Sequence, residues 1–180
     1  QPRLPEGTAF TVDGPPPLAF PTLDAPARWE DVLHGRIRQQ LETVLSGYLR
    51  ARRWFGGKAR ELKRVEITDT LKVALTDRSA RVCLIRVDYL QGEPEVYQLP
   101  LAFMSGADAL SLMQEYPHLV VAQLRADPQQ EPAILHDAIG DPAFGTALLD
   151  AINRRRTLKG AQGELSGRSS SAFRQQLADV

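Results

Sequence analysis

Few residues in this 180-residue sequence stand in patterns that carry out chemistry. The nearest approach to a phosphate-binding loop is Gly57-Lys58, but Ala59 stands where such a loop has Ser or Thr. The sequence has no G-x-G-x-x-G, H-E-x-x-H, G-x-S-x-G or Cys-x-x-Cys pattern. Three histidines are far apart in the sequence: His34, His118 and His136. None has a second ligand at metal-binding spacing, so we assign no catalytic, cofactor-binding or metal-binding residue.

His136 and Asp137 are neighbours, and an imidazole beside a carboxylate could act as an acid–base pair. The two residues come at the end of a predicted strand and just ahead of a predicted helix. That position favours a structural role, in which the chain turns from the strand toward the helix.

A basic run spans residues 50–64 and could hold phosphate or another anion. It contains seven cationic side chains: Arg50, Arg52, Arg53, Lys58, Arg60, Lys63 and Arg64. Glu61 and Glu66 interrupt it, and the whole chain is neutral, with 22 basic and 22 acidic residues. These features favour a solvated or interdomain surface, and an anion site is the alternative.

Within this run lies a segment that we call the helix-end segment. Its residues are Arg53, Trp54, Phe55, Gly56, Gly57 and Lys58. Two adjacent aromatic rings are costly to leave in water. They either cap a helix end and pack under a sheet or contact another domain, and both can hold. We predict all six residues as candidates for an interdomain contact.

Composition places the chain among globular proteins, with 43% hydrophobic and 24% charged residues. These values exclude collagen-like, fully disordered and disulfide-scaffold classes. No apolar run approaches the ~20 residues of a membrane span, so we expect no membrane partner. The single cysteine, Cys83, has no partner for an internal disulfide, which favours a reducing cytoplasm.

Residues 1–27 are predicted to be an extended linker. They hold seven of the thirteen prolines: Pro2, Pro5, Pro15, Pro16, Pro17, Pro21 and Pro26. Proline fixes φ and lacks a backbone donor, so this stretch cannot be a helix or a central strand. A linker of this length suggests a domain upstream.

Residues 28–104 are predicted to be one subdomain, a long helix followed by an antiparallel meander. Over residues 28–52, apolar side chains recur every three or four positions, from Trp29 to Tyr48. Gly56 and Gly57 are expected to end this helix. The apolar period then changes to two in three successive strands that begin near Val65, Val82 and Tyr97. The predicted fold class is therefore α+β.

Residues 105–180 are less regular and are predicted to complete this subdomain and begin another. We expect a short helix over Ser105–Tyr116 and strands over His118–Arg125 and Ala133–His136, separated by a turn. Another helix is expected over Pro142–Arg156, with Asp141 as its N-cap. Gly160–Val180 is rich in Gly and Ser, and residues 157–180 are expected to be frayed.

The run from Tyr48 to Lys58, Tyr-Leu-Arg-Ala-Arg-Arg-Trp-Phe-Gly-Gly-Lys, resembles the signature of the N-terminal cap of bacterial maltokinases. The preceding helix, the Glu95–Leu101 strand and the stretch Leu135-His136-Asp137-Ala138 fit the same family in the same order. The resemblance covers about residues 28–175.

The resemblance implies a cystatin-like cap, a helix held by a curved antiparallel sheet, followed by the start of a kinase-like N-lobe. It implies a parent enzyme that uses ATP and Mg²⁺ to make maltose 1-phosphate, often fused behind trehalose synthase. The family's phosphate-binding loop and catalytic aspartate have no counterpart here. We therefore expect no cofactor in this segment and no activity from it alone. Its expected partners are the rest of the maltokinase chain and an upstream trehalose synthase domain, and not nucleic acid. The alternative is a binding module that uses its basic run for an anionic partner.

Overall fold

The computed structural model describes residues 19–24, 26–125 and 131–171. The described helices are α1 (Gly35–Ala51), α2 (Gly106–Glu115) and α3 (Pro142–Asn153). The described strands are β1 (Thr22–Asp24), β2 (Leu62–Ala74), β3 (Ser79–Tyr89), β4 (Glu95–Ser105), β5 (Val120–Arg125), β6 (Ala133–Asp137), β7 (Thr157–Lys159) and β8 (Glu164–Ser166). None of these helices combines the length and the apolar composition that a membrane crossing requires.

Six strands form one sheet, in the order β1-β5-β6-β4-β3-β2, and β7 pairs with β8 in a separate hairpin. The pairs β2–β3 and β3–β4 are antiparallel, which confirms the predicted meander. β6 pairs antiparallel with β4 and with β5, whereas β1 runs parallel to β5 at the edge of the sheet. The α+β fold class is confirmed.

The long N-terminal helix begins later than predicted. Trp29–Leu33 forms a 3-10 turn, and α1 begins only at Gly35, whose φ is 55°. A residue in this left-handed conformation interrupts a right-handed helix, and glycine adopts it without a steric penalty. The predicted apolar face is still buried, because Leu33 and Leu41 join the same core on either side of the break.

The helix also ends earlier than the two glycines that were expected to stop it. α1 finishes at Ala51, and Arg52 takes an extended conformation with ψ of 137°. Gly56 and Gly57 begin a separate 3-10 turn and do not have positive φ. The expectation that they end the helix in a left-handed conformation is wrong.

The sheet buries a different core on each face. The larger core lies between α1 and the sheet and includes Leu41, Leu45, Leu49, Val65, Ile67, Ile85, Val87 and Leu99. Burying one such side chain contributes about 1.5–3 kcal/mol. The second core packs α3 and the β7–β8 hairpin on the sheet and includes Leu71, Val73, Val82, Phe144, Leu158 and Leu165.

β2 changes faces between Ile67 and Asp69. Ile67 is opposite Ile85, but Asp69 is opposite Leu84, so Thr68 is one extra residue in β2. An extra residue reverses the side-chain alternation, because the period of a strand is two. Hence Val65 belongs to the α1 core and Val73 to the α3 core, although both numbers are odd.

The second half of the chain confirms the predicted elements to within a few residues. The Asp141 carboxylate accepts a hydrogen bond from the Ala143 nitrogen at 2.9 Å, which is the predicted N-cap of α3. α3 itself ends at Asn153, earlier than predicted. Most of the turn predicted between β5 and β6 lies in residues 126–130, outside the described residues.

The tail prediction is wrong for the part that is described. Residues 157–166 form the β7–β8 hairpin, and Leu158 and Leu165 pack on the second core. Residues 172–180 lie outside the described part. At the other end, β1 falls within the predicted linker, so the sheet begins before residue 28. The sheet also continues across the predicted boundary at 104/105, since β4 pairs with β6.

Candidate functional site

The helix-end segment alternates between exposed and buried residues. The Phe55 ring is 2% exposed and Gly57 is buried, whereas Trp54 is 48% exposed. Arg53, Gly56 and Lys58 are also exposed. The structure therefore divides the six predicted contact residues into a buried pair that anchors the segment and four exposed residues that a partner can reach.

Tyr97 of β4 supports both aromatic rings. Its ring centroid is 5.0 Å from that of Phe55 and 6.0 Å from that of Trp54. Both contacts are tilted, within the range in which aromatic pairs attract. The exposed Trp54 ring is thus held from below by a packed ring, which limits its freedom before any partner binds.

The Glu95 carboxylate accepts hydrogen bonds from the hydroxyl groups of two tyrosines near these rings. Tyr89 donates to Glu95 Oε2 at 2.7 Å, and Tyr97 donates to the same oxygen. Arg60 forms an ion pair with this carboxylate and lies over the Tyr89 ring, 3.4 Å from its centroid. The hydrogen bonds from Tyr97 and Tyr89 lower the pKa of Glu95, and Arg60 adds to the effect. Burial and the Glu95 carboxylate raise the pKa of Tyr97.

Gly57 is required by close approach. A Cβ added there would lie 2.2 Å from the Tyr89 hydroxyl and 2.7 Å from Phe55 Cζ. No side chain fits at these distances, so the segment reaches Tyr89 only with glycine at this position.

The basic run does not form one patch. Arg52 donates to the His118 carbonyl and lies over the Tyr48 ring, so it holds α1 against the chain before β5. Arg60 forms an ion pair with Glu95, and Arg64 forms one with Glu66 at 3.1 Å. Arg50, Lys63 and Arg64 line a shallow groove of about 280 Å³ beside Ser46 and Gly47.

The His136-Asp137 pair has the structural role that its position favoured. The Asp137 carboxylate accepts from the Ile139 nitrogen at 2.9 Å and from the Tyr48 hydroxyl at 3.3 Å. It therefore turns the chain after β6 and ties that turn to α1. Burial raises the pKa of Asp137, and hydrogen bonding only partly offsets the increase. His136 is buried beside it and has a lowered pKa, also because of burial.

Sequence reasoning missed Asp69, a buried carboxylate in the bulge of β2. Its two oxygens accept hydrogen bonds from the backbone nitrogens of Ala161, Gln162 and Gly163 at 2.8–2.9 Å. These residues form the tip of the β7–β8 hairpin, and the hairpin is thereby fixed to β2. The available signal was an aspartate between two threonines inside a strand, a residue type that strands disfavour.

A family model described as the maltokinase N-terminal cap domain matches residues 48–141, just over half of the chain. This chain belongs to the maltokinase N-terminal cap domain family. No curated protein matches the sequence. The match begins at Tyr48 and ends at Asp141. It includes the helix-end segment and strands β2 to β6 of this cap domain.

Proposed function

We propose that this chain is the non-catalytic cap of an ATP-dependent maltokinase and that it braces the N-lobe of the kinase. The parent enzyme would transfer a phosphate from ATP to maltose and release maltose 1-phosphate. The observation that carries the proposal is the helix-end segment, which lies in the region that the family model matches and keeps Trp54 half exposed.

The segment has the composition of a contact site. Tryptophan and arginine are the residues that most often dominate binding energy at interfaces. Arg53 directly precedes Trp54 and Lys58 follows it by four positions, and no described acidic side chain forms an ion pair with either of them. The Trp54 ring packs against Tyr97, with 6.0 Å between the centroids, and this contact reduces the conformational entropy that the ring would lose on binding a partner. We infer that Trp54 inserts into an apolar surface of the N-lobe.

A brace must also be stiff, and two long-range contacts supply stiffness. The Asp69 carboxylate holds the hairpin of residues 157–166 to β2. Tyr48 and Asp137 join the end of α1 to the end of β6. These contacts tie the hairpin to β2 and the end of α1 to the end of β6.

We assign no ATP or Mg²⁺ ligand in the cap. Among residues 19–24, 26–125 and 131–171, no three His, Cys, Asp or Glu side chains come together in a metal-binding arrangement. We propose that ATP and its Mg²⁺ bind elsewhere in the parent chain.

Several finer features belong to the same proposal. A long helix packed on an antiparallel sheet supports a cystatin-like cap, and the α3–hairpin region would begin the kinase N-lobe. We also propose that a trehalose synthase domain precedes the linker in the parent and that the protein is cytoplasmic. The buried free thiol of Cys83 agrees with a reducing compartment.

The decisive experiment measures maltose-dependent ADP release by the full native gene product, with the 180-residue chain as control. We expect activity in the full product and none in the chain. Trp54→Ala should lower the kinase activity of the full product by more than the fall in the melting temperature of the cap explains. Leu110→Ala is the matched exposed control. An inactive full product, or a Trp54→Ala loss that is confined to stability, would contradict the proposal.

The groove that Arg50, Lys63 and Arg64 line favours a second candidate function, recognition of an anionic partner. Retention on heparin should then fall steeply as salt rises, because counterions are released on binding. Lys63→Gln should elute at lower salt than the chain itself. Absence of retention at low salt would eliminate this candidate.

A further inference from the structure

An apolar groove lies on the face of the sheet that carries the second core, opposite the face that buries Phe55. Its volume is about 500 Å³. The apolar side chains that line it come from the sheet, from α3 and from the β7–β8 hairpin, and they include Val82, Pro100, Leu148, Ile152, Leu158 and Leu165. Ile139 also lines the groove and is 65% exposed. The second core is therefore open to water along this groove, and an apolar group that filled it would gain from burial.

The polar atoms of the groove do not call for a polar or charged ligand. Among its described lining residues none is acidic, and Arg168 is the one cation, an exposed residue. In the described part of the chain, no residue that lines the groove has a buried side-chain nitrogen or oxygen without a hydrogen-bond partner. Complementarity to this groove is therefore apolar, and aliphatic or aromatic side chains fit it best.

The chain leaves the β7–β8 hairpin along the wall of this groove. Ser166, Gly167 and Arg168 are themselves lining residues. The Gly167 nitrogen donates to the Arg156 carbonyl at 2.8 Å, and a Cβ added to Gly167 would lie 2.2 Å from the Ala151 carbonyl oxygen. The backbone thus lies directly against α3, at a residue that also lines the groove. The chain that follows Arg168 therefore starts at the groove itself.

The sequence of residues 172–180, which lie outside the described part, has the pattern of a short amphipathic helix. Phe173, Leu177 and Val180 follow one another at steps of four and three, which places them on one face of such a helix. A helix of this length is marginal in water unless its apolar face packs on something. Phe173 comes five residues after Arg168, and five extended residues span at most about 18 Å, so this face can reach the groove.

We propose that residues 172–180 pack as a helix into this groove, with the Phe173 and Leu177 side chains inserted between α3 and the β7–β8 hairpin. The tether favours this occupant over a second copy of the chain, because a segment attached to the groove wall has an effective concentration in the millimolar range. Docking closes the second core and fixes the path of the chain after the hairpin. The inference does not rest on the proposed kinase function.

NMR of the 180-residue chain tests the docking directly. We expect nuclear Overhauser effects between the ring protons of Phe173 and the methyl groups of Leu148 and Leu165. These effects should be absent from a mixture in which one chain is labelled only at its phenylalanine rings and the other only at its methyl groups, because the contact lies within one chain. Absence of the effects from the uniformly labelled chain would overturn the inference. So would their appearance between chains, which would assign the groove to a second copy.

Substitutions in the segment measure what the docking contributes to stability. Phe173→Ala should raise the unfolding constant in urea at least about fivefold. Gln175→Ala is the matched control, since Gln175 lies in the same segment on the opposite side of the proposed helix, and it should change the constant less than about twofold. Equal effects of the two substitutions would count against the docked segment and overturn the inference.

A double-mutant cycle identifies the partner of the Phe173 ring. In the Leu148→Ala background, the effect of Phe173→Ala on the unfolding constant should shrink at least about twofold, because residues in contact are not additive. Additive effects would overturn the inference. If Leu148→Ala does not fold, the Overhauser effects of the unaltered chain decide the point. Kinase activity is not measured in these experiments, so their failure is distinguishable from failure of the proposed cap function.

Discussion

Asp69 Oδ2 lies 2.8 Å from the backbone nitrogen of Gly163, a residue that follows it by 94 positions in the chain. Together with Ala161, Gln162 and Thr70, Gly163 surrounds the carboxylate with backbone donors. Charge-assisted hydrogen bonds of this kind are about twice as strong as neutral ones. The Asp69 carboxylate thus joins β2 to a hairpin that lies 92–94 positions further along the chain.

Replacing the carboxylate should release the hairpin. In Asp69→Asn one oxygen becomes an NH₂ group that faces backbone donors, which we expect to cost about 1–3 kcal/mol in the free energy of unfolding. Urea denaturation measures this loss, and hydrogen exchange at Ala161–Gly163 should become faster. Asp88→Asn is the matched control, because the pair that Asp88 forms with Arg86 at 2.9 Å lies at the surface. Equal losses of stability in the two variants would contradict the conclusion that Asp69 fixes the hairpin to β2.

The same carboxylate predicts a pH dependence. Partial burial raises the pKa of Asp69, but hydrogen bonds from Gln162, Ala161, Thr70 and Gly163 outweigh it, so the folded-state pKa lies below the usual value. The ionised form therefore stabilises the fold above the unfolded-state pKa of about 3.9, and that stability is lost as pH falls through the folded-state pKa.

The stability difference between the unaltered chain and Asp69→Asn should accordingly be full near neutral pH and shrink in acid. Urea denaturation at pH values of about 7, 4 and 2 measures it, provided that both proteins remain folded without urea. A difference that stays constant over this range would show that the charge of Asp69 does not matter.

The two glycines Gly57 and Gly47 should respond in opposite directions to alanine. Gly57→Ala brings a Cβ to 2.2 Å from the Tyr89 hydroxyl, so it should destabilise the cap by about 1–3 kcal/mol. Gly47 lies inside α1 with open space around it, and Gly47→Ala should stabilise the fold by about 0.5–1 kcal/mol. Thermal and urea unfolding of both variants check this, and a Gly57→Ala protein as stable as the original would refute the close approach.

Alanine substitutions at the adjacent residues Trp54 and Phe55 should differ in how much they lower the free energy of unfolding. Phe55→Ala empties a buried position and should cost about 3–5 kcal/mol. Trp54→Ala removes a half-exposed ring and should cost about 1 kcal/mol or less. Urea denaturation of the 180-residue chain gives both values. Equal costs would mean that Trp54 belongs to the core and is not reserved for a partner.

Cys83 should be unreactive in the folded protein. Its thiol is fully buried beneath α1, and burial raises its pKa to about 12. Since the thiolate is the reactive form, a thiol reagent should modify Cys83 only as fast as the protein unfolds. Absorbance during reaction with an aromatic disulfide measures the rate, with the urea-unfolded chain as the fast control. Rapid modification in native buffer would contradict the burial.

Patterns that act within one element were readable from the sequence. The apolar stripe of α1 and the alternation in β2, β3 and β4 follow from local periodicity, and Asp141 followed by Pro142 marks a helix start by local hydrogen bonding. The break at Gly35 was missed, because the stripe continues across it and periodicity does not report a single change of φ.

The helix-end segment shows how far the sequence reaches. Its six residues were recognised as a unit, and the family to which they point was confirmed. The sequence did not show which of Phe55 and Trp54 is buried, since both are large aromatic residues at adjacent positions. Phe55 joins the core between α1 and the sheet, whereas Trp54 lies outside it, and the core residues that bury Phe55 come largely from strands further along the chain.

By itself, then, the sequence determined the α+β class, the family, and the positions of β2 to β6, α2 and α3 to within a few residues. It did not show β1, the β7–β8 hairpin or the late start of α1. Tertiary structure alone decided which face of β2 each residue occupies, because one extra residue at Thr68 reverses a period of two. The tertiary structure also decided which groups bond to Asp69 and that residues 157–166 form an ordered hairpin. Those depend on bringing distant backbone donors within 3 Å of one carboxylate, a distance that only the packed chain sets.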